Sequence, residues 1–173
     1  MDQPLVGIVM GSKSDLPVME KASDQLSEFG VPHTLDVMSA HRNPAKVSAW
    51  ASGAREAGYR VLIAGAGRAA HLPGVVAAHT QLPVIGVPCL SDHLGGADAL
   101  YSIVQMPPGV PVATVGIDSA RNAAILAVQI LALADDPLAG LLEEFRAAQS
   151  EKGMEHRDIS GGDEQVTFGF RPS

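Results

Sequence analysis

The segment Val61 to Gly74, VLIAGAGRAAHLPG, most constrains what this chain can fold into. Val61-Leu62-Ile63-Ala64 is a short apolar run of the kind that forms a strand covered on both faces. Gly65 and Gly67, with only Ala66 between them, are expected to turn the backbone sharply, and Pro73 suits the first turn of a new helix. Arg68 and His71 place a cation and an imidazole in that turn. In an open parallel sheet, ligands bind beyond the carboxyl ends of the strands, where such turns lie.

The same grammar recurs along the chain. Leu5–Met10 reads as a strand, followed by Gly11-Ser12-Lys13-Ser14-Asp15 and a helix from Pro17 to about Phe29, with Gly30 as its C-cap. Val31–Met38 is a second strand, Ser39–Pro44 a second turn, and a helix runs from Pro44 through Ala57 to a stop at Gly58. After the Val61 strand come a helix from Pro73 to His79, a strand over Pro83–Val87, a loop over Pro88–His93, a helix over Gly95–Val104 and a short strand over Val112–Val115. Five strands alternating with helices predict an α/β sandwich around a parallel sheet, with no internal repeat. Asp118 or Ser119 is expected to cap the next helix, which is apolar almost all round from Ala123 to Leu133. Such a helix is expected to be buried on both sides, its second face covered either by the rest of the fold or, as the favoured reading, by another subunit. Asp136-Pro137 breaks it, and Leu138–Gln149 reads as a final amphipathic helix. The predicted units are a catalytic domain over 1–134, a C-terminal helix over 135–150 and a polar tail over 151–173. Within the tail, the apolar patch Val166–Phe170 is expected either to dock on a neighbour or to share in the tail's disorder.

Composition narrows the function class. With 46% hydrophobic residues, the 173-residue chain can bury a real core, and 4% aromatics leave few rings to stack a flavin. A net charge of −7 argues against a nucleic-acid surface, so an anionic ligand must rely on local cations and helix N-termini. The single cysteine, Cys89, excludes an internal disulfide and is expected to be packing rather than a nucleophile. No apolar run reaches the ~18 residues of a membrane span, and the N-terminus lacks a signal-peptide pattern, so a cytoplasmic protein is expected.

Three strand-end turns carry the chemistry. In the first, backbone N–H groups at a helix N-terminus suit a phosphate; Ser12 and Ser14 add hydroxyls, Lys13 a charge, and Asp15 an acceptor for sugar hydroxyls. The same residues are also ordinary helix caps. In the second turn Arg42 offers a planar fork for phosphate or carboxylate, and His41 can move a proton near neutral pH. The third holds Arg68 and His71. Asp92 and His93 form a loop that either shapes the site or is simply solvated. No HExxH or CxxC spacing suggests a metal. Together the turns predict a small anionic ligand, a sugar phosphate, and proton-transfer chemistry.

The motifs MGSKSD (10–15), SAHRNP (39–44), AGAGRAAHLPG (64–74), LPVIGVP (82–88) and SIVQMPPGVPVATV (102–115) closely resemble the bacterial 5-(carboxyamino)imidazole ribonucleotide mutases, the PurE family of purine biosynthesis. The resemblance spans about residues 4–134. It implies a flavodoxin-like three-layer αβα sandwich, a homo-octamer, and an isomerase that uses no metal or organic cofactor. The implied reaction moves a carboxylate from the exocyclic nitrogen of a ribonucleotide to ring carbon 4, with carbon dioxide as intermediate. By the family motif, His41 is the proton-transfer histidine and His71 a second active-site histidine. Ser12 and Arg42 serve the phosphate end and Asp15 the ribose. Ser14, Ser39, Gly65, Gly67, Arg68 and Leu72 complete the expected substrate-binding set.

Two features depart from the mutase pattern. Arg68 stands where the mutases usually have glycine, and Gly95-Gly96-Ala97-Asp98 is closer to the related carboxylases, which use carbon dioxide directly on aminoimidazole ribonucleotide. Direct carboxylation is therefore the alternative within the family. A non-catalytic nucleotide-binding module is the alternative outside it, against which the two histidines argue, because phosphate binding needs neither.

Overall fold

The computed structural model describes residues 3–155. The expected tail over 151–173 and its apolar patch Val166–Phe170 fall outside these residues from 156 onward. Five strands, β1 (Val6–Met10), β2 (His33–Val37), β3 (Val61–Gly67), β4 (Val84–Cys89) and β5 (Ala113–Thr114), form one sheet in the order β2-β1-β3-β4-β5. Every pairing is parallel, with Val6 opposite His33 and Val61, Leu62 opposite Val84, and Ile85 opposite Ala113. This is the flavodoxin-like order, whose direction reverses between β1 and β3.

The helices are α1 (Leu16–Glu28), α2 (Pro44–Gly53), α3 (Leu72–Ala78), α4 (Ala97–Val104), α5 (Ala120–Ala132) and α6 (Asp136–Glu155), with a short 3-10 turn over Lys13–Asp15 before α1. Because side chains alternate across a strand, the sheet feeds two cores. Ile8, Met10, Val61, Ile63, Ile85 and Val87 face one layer, where they meet Met19 and Leu26 of α1 and Ala123, Ala124, Ala127 and Val128 of α5. Val9, Leu62, Ala64 and Val84 face the other, against Val47 and Ala51 of α2, Val76 of α3 and Ile103 of α4.

Several expectations are corrected. The strand does not end at Ala64: β3 continues through Gly65 and Gly67, paired with Val87 and Cys89 of β4. The turn starts at Arg68, which carries a φ of 56°. Gly65 serves packing, since a Cβ there would collide with the side chain of Met19 on α1. The second helix stops at Gly53 rather than Ala57, where tighter turns take over and lead to Gly58 at φ 99°. Of the two residues expected at the start of α5, Ser119 holds the cap position, without a side-chain capping bond, and Asp118 accepts from the Leu90 N–H at 2.8 Å. Asp136 and Pro137 open α6, whose start is fixed by Asp135 accepting from the Leu138 N–H at 3.0 Å, and the helix runs to Glu155, past Gln149.

The apolar helix α5 is covered in large part by its own chain. Its alanine face packs on the sheet and α1, and Leu138, Leu142 and Phe145 of α6 join the same core. Phe145 meets Phe29 at 5.3 Å between ring centroids. Ile125, Leu126, Ile130 and Leu131 stay partly buried and Leu133 is 87% exposed. Among the described residues no helix is long and apolar enough to cross a membrane.

Candidate active site

The carboxyl ends of β1, β2 and β3 deliver the three predicted turns to one cavity of about 620 Å³. Ser12, Ser14, Asp15, Ser39, His41, Arg42, Gly67, Arg68, His71 and Leu72 all line it. Gly65 does not, because it lies one strand register deeper under Met19. Lys13 and His93 are also outside the lining, whereas Leu90, Ser91 and Asp92 from the loop after β4 are in it. Leu90 and Ser91 carried no local signal. They reach the cavity because the β4 end is held by tertiary bonds, from Leu90 N–H to Asp118 and from the Ser91 hydroxyl to Asp98 at 3.4 Å.

The first turn is both a cap and part of the cavity wall. Ser12 and Asp15 form a capping box: the Ser12 N–H donates to Asp15 Oδ2 at 3.0 Å, and the Ser14 N–H donates to Ser12 Oγ at 3.3 Å. The Ser14 hydroxyl also donates to Ser12 Oγ at 2.9 Å, which leaves the Ser12 hydroxyl hydrogen free to face a ligand. Burial pushes the Asp15 carboxyl above its usual range, against the lowering effect of its bonds from Ser12 and Ser14.

The second turn is tied to the first. Arg42 Nη2 donates to the Gly11 carbonyl at 3.3 Å, and its own N–H donates to Ser39 Oγ at 3.3 Å. The guanidinium thus leans over the β1 end with donors to spare. Asn43 caps α2 by accepting from the Lys46 N–H, which fixes the start of the helix behind His41 and Arg42.

His41 and His71 meet across the cavity. Nε2 of His41 lies 2.8 Å from Nδ1 of His71, with the rings perpendicular and their centroids 4.9 Å apart. One of these two nitrogens carries the hydrogen and the other accepts it, so the tautomers are coupled. Taking up a proton at Nδ1 of His41 and releasing one at Nε2 of His71 passes a proton through the pair without leaving either ring charged. His71 sits immediately before α3, with its side chain free of any capping bond. Leu72 contributes a buried apolar wall.

Cys89 is buried, and its thiol is pushed up to about 12 by desolvation and by the nearby carboxylates of Asp15 and Asp118. It is therefore neutral at physiological pH and packs, as expected, rather than attacks. Among the described residues no group of three or more His, Cys, Asp or Glu is placed to hold a metal ion.

The family model for AIR carboxylase matches residues 5–152. The chain is 52% identical over 158 residues to the N5-carboxyaminoimidazole ribonucleotide mutase of Escherichia coli, covering 90% of this chain and 94% of that protein. It is 59% identical over 132 residues to the mutase of Pyrococcus horikoshii, covering 76% of this chain and 75% of that one. It is also 51% identical to the chloroplastic phosphoribosylaminoimidazole carboxylase of Vigna aconitifolia over 89% of this chain, but spans only 28% of that longer protein. Among solved structures, Treponema denticola PurE superposes with a TM-score of 0.80 at 32% identity, covering 88% of this chain and 95% of that one. With this match over most of its length and the expected turns gathered in one cavity, the chain belongs to the AIR carboxylase family, the PurE family its motifs resemble.

Proposed function

We propose that this protein is an N5-carboxyaminoimidazole ribonucleotide mutase, an isomerase of purine biosynthesis. The observation that carries the reading is the 2.8 Å contact between His41 and His71 in a cavity that also holds a phosphate-suited turn and Arg42. Binding alone needs the turn and the arginine; the imidazole pair supplies acid–base chemistry.

The ribonucleotide phosphate binds at Ser12, Ser14 and Arg42, and Asp15 accepts from the ribose hydroxyls. Ser39 and Gly67 line the path of the base, and Leu72 gives it an apolar wall. Breaking the bond between the exocyclic nitrogen and the carboxylate carbon releases carbon dioxide, and His41 gives the nitrogen a proton as the bond breaks. Ring carbon 4, now electron-rich, attacks the trapped carbon dioxide and forms the new carbon–carbon bond. His41 then takes the proton from carbon 4, and both histidines return to their starting state. The reaction is a net isomerisation, in which the ring proton is exchanged for the carboxylate. No step calls on a metal or organic cofactor. The working assembly is a homo-octamer in the cytoplasm.

Direct carboxylation remains the second reading, favoured by the 51% identity to the phosphoribosylaminoimidazole carboxylase of Vigna aconitifolia. A substrate comparison separates the two. The carboxyamino ribonucleotide at low bicarbonate is expected to turn over efficiently, and aminoimidazole ribonucleotide with high carbon dioxide poorly; the reverse result makes the enzyme a carboxylase. Tight nucleotide binding with no product from either makes it a binding module. In the same assay His41→Asn is expected to abolish turnover while nucleotide affinity is largely kept, and normal turnover by that variant removes His41 from the mechanism.

A further inference from the structure

Among the described residues only two non-glycine residues have left-handed backbone, Arg68 at φ 56° and Asp118 at φ 55°. That conformation is costly for a residue with a Cβ, and it persists where the surroundings demand it or where function uses it. Asp118 is accounted for by its neighbours: its N–H donates to the Pro88 carbonyl at 2.9 Å and its carboxylate accepts from the Leu90 N–H. It also has the short polar side chain that tolerates this region. Arg68 has neither excuse. Its side chain is exposed at the rim of the cavity, and among the described residues its guanidinium has no hydrogen-bond or ion-pair partner.

The sheet order separates the cavity's two arginines. Arg42 follows β2 and leans over the end of β1, where it joins the serine turn. Arg68 follows β3, on the side of the β4 loop that brings Leu90, Ser91 and Asp92. Neighbouring strands are ~4.8 Å apart, so the two strand ends stand roughly 5–10 Å from each other. A ribose and a five-membered ring can span such a gap. A ligand that is anionic at both ends therefore meets one guanidinium at each.

We propose that Arg68 is a specificity-determining residue that grips the carboxylate of the ribonucleotide, so that the site tells carboxylated from uncarboxylated ligands. This rests on the proposed function for the identity of the ligand. A guanidinium holds a carboxylate through two parallel N–H donors, and a left-handed backbone at Arg68 is tolerated for the sake of that contact.

The test is equilibrium binding by calorimetry to the parent, Arg68→Gly and Arg68→Lys. The probes are 4-carboxyaminoimidazole ribonucleotide, which carries the carboxylate, and aminoimidazole ribonucleotide, which lacks it. Loss of a charge-assisted bond predicts that Arg68→Gly weakens the carboxylated ligand about 10- to 100-fold. The uncarboxylated ligand changes by less than about twofold, and Arg68→Lys recovers part of the loss. Glycine adopts positive φ freely, so Arg68→Gly should keep or raise the parent's Tm, and a loss of binding cannot be put down to unfolding. Equal weakening of both ligands overturns the proposal by assigning Arg68 to the phosphate, and no change in either overturns it outright. Both readouts are binding constants. A parent enzyme that fails to turn over either substrate would sink the proposed function while leaving this comparison readable.

Discussion

Ser12 and Asp15 show how one residue can hold two roles that pull in opposite directions. Both cap the turn before α1, and both line the cavity. The cap reading and the ligand reading of the sequence were not rivals, because a helix N-terminus that satisfies its own donors in the free protein still presents them to an anion. Asp15 carries the cost. Its carboxyl is raised by burial, so its contribution to stability is present below the unfolded value of 3.8 and is lost as pH rises through the folded value. At neutral pH the ionised group therefore burdens the free protein. Asp15→Asn is expected to have a Tm at pH 7.5 at or above the parent's, with the advantage shrinking at pH 4, and to bind nucleotide more weakly. Scanning calorimetry at the two pH values checks this. A parent that is more stable at pH 7.5, by a margin that grows with pH, would mean that the bonds from Ser12 and Ser14 outweigh burial.

The element that departs most from expectation is β3. Two glycines around one alanine read locally as a turn, yet both stay in the strand, because ladder pairing with Val87 and Cys89 continues to Gly67 and α1 presses on the sheet at Gly65. The missing side chain at Gly65 is what lets Met19, fully buried, cross the strand. Gly65→Ala is expected to destabilise the fold by about 1–3 kcal/mol through overpacking. Met19→Ala alone should cost about 2–5 kcal/mol by leaving a cavity. The double variant should lose clearly less than the sum, since each change relieves the other. Denaturant unfolding of the four proteins gives the coupling, and strict additivity would show that the two residues do not share the space. Elsewhere helix starts were legible from Pro and cap residues, as at Asn43-Pro44, whereas helix ends moved by several residues, as at Gly53, where competing turn bonds decide.

At the scale of the molecule, two cores on either face of one sheet hold the strand ends in place, and α6 closes the outer side of α5. What α6 leaves uncovered is apolar, with Ile130 and Leu131 partly buried and Leu133 exposed, and the proposed assembly would cover it. Light scattering at micromolar concentration is expected to give a mass several times that of the 17.9 kDa chain, and Leu133→Glu to reduce it; a monomeric parent would contradict this. The sequence by itself determined the alternation of strands and helices and the three turns that carry serine, arginine and histidine. Apolar period, caps and breakers act over a few residues and so can be read locally. Only the tertiary structure decided the strand order, the burial of Gly65, the arrival of Leu90 and Ser91, and the meeting of His41 with a partner 30 residues away. Those outcomes depend on which strands pair and which helices cover them, a long-range choice set by the packing of the whole core.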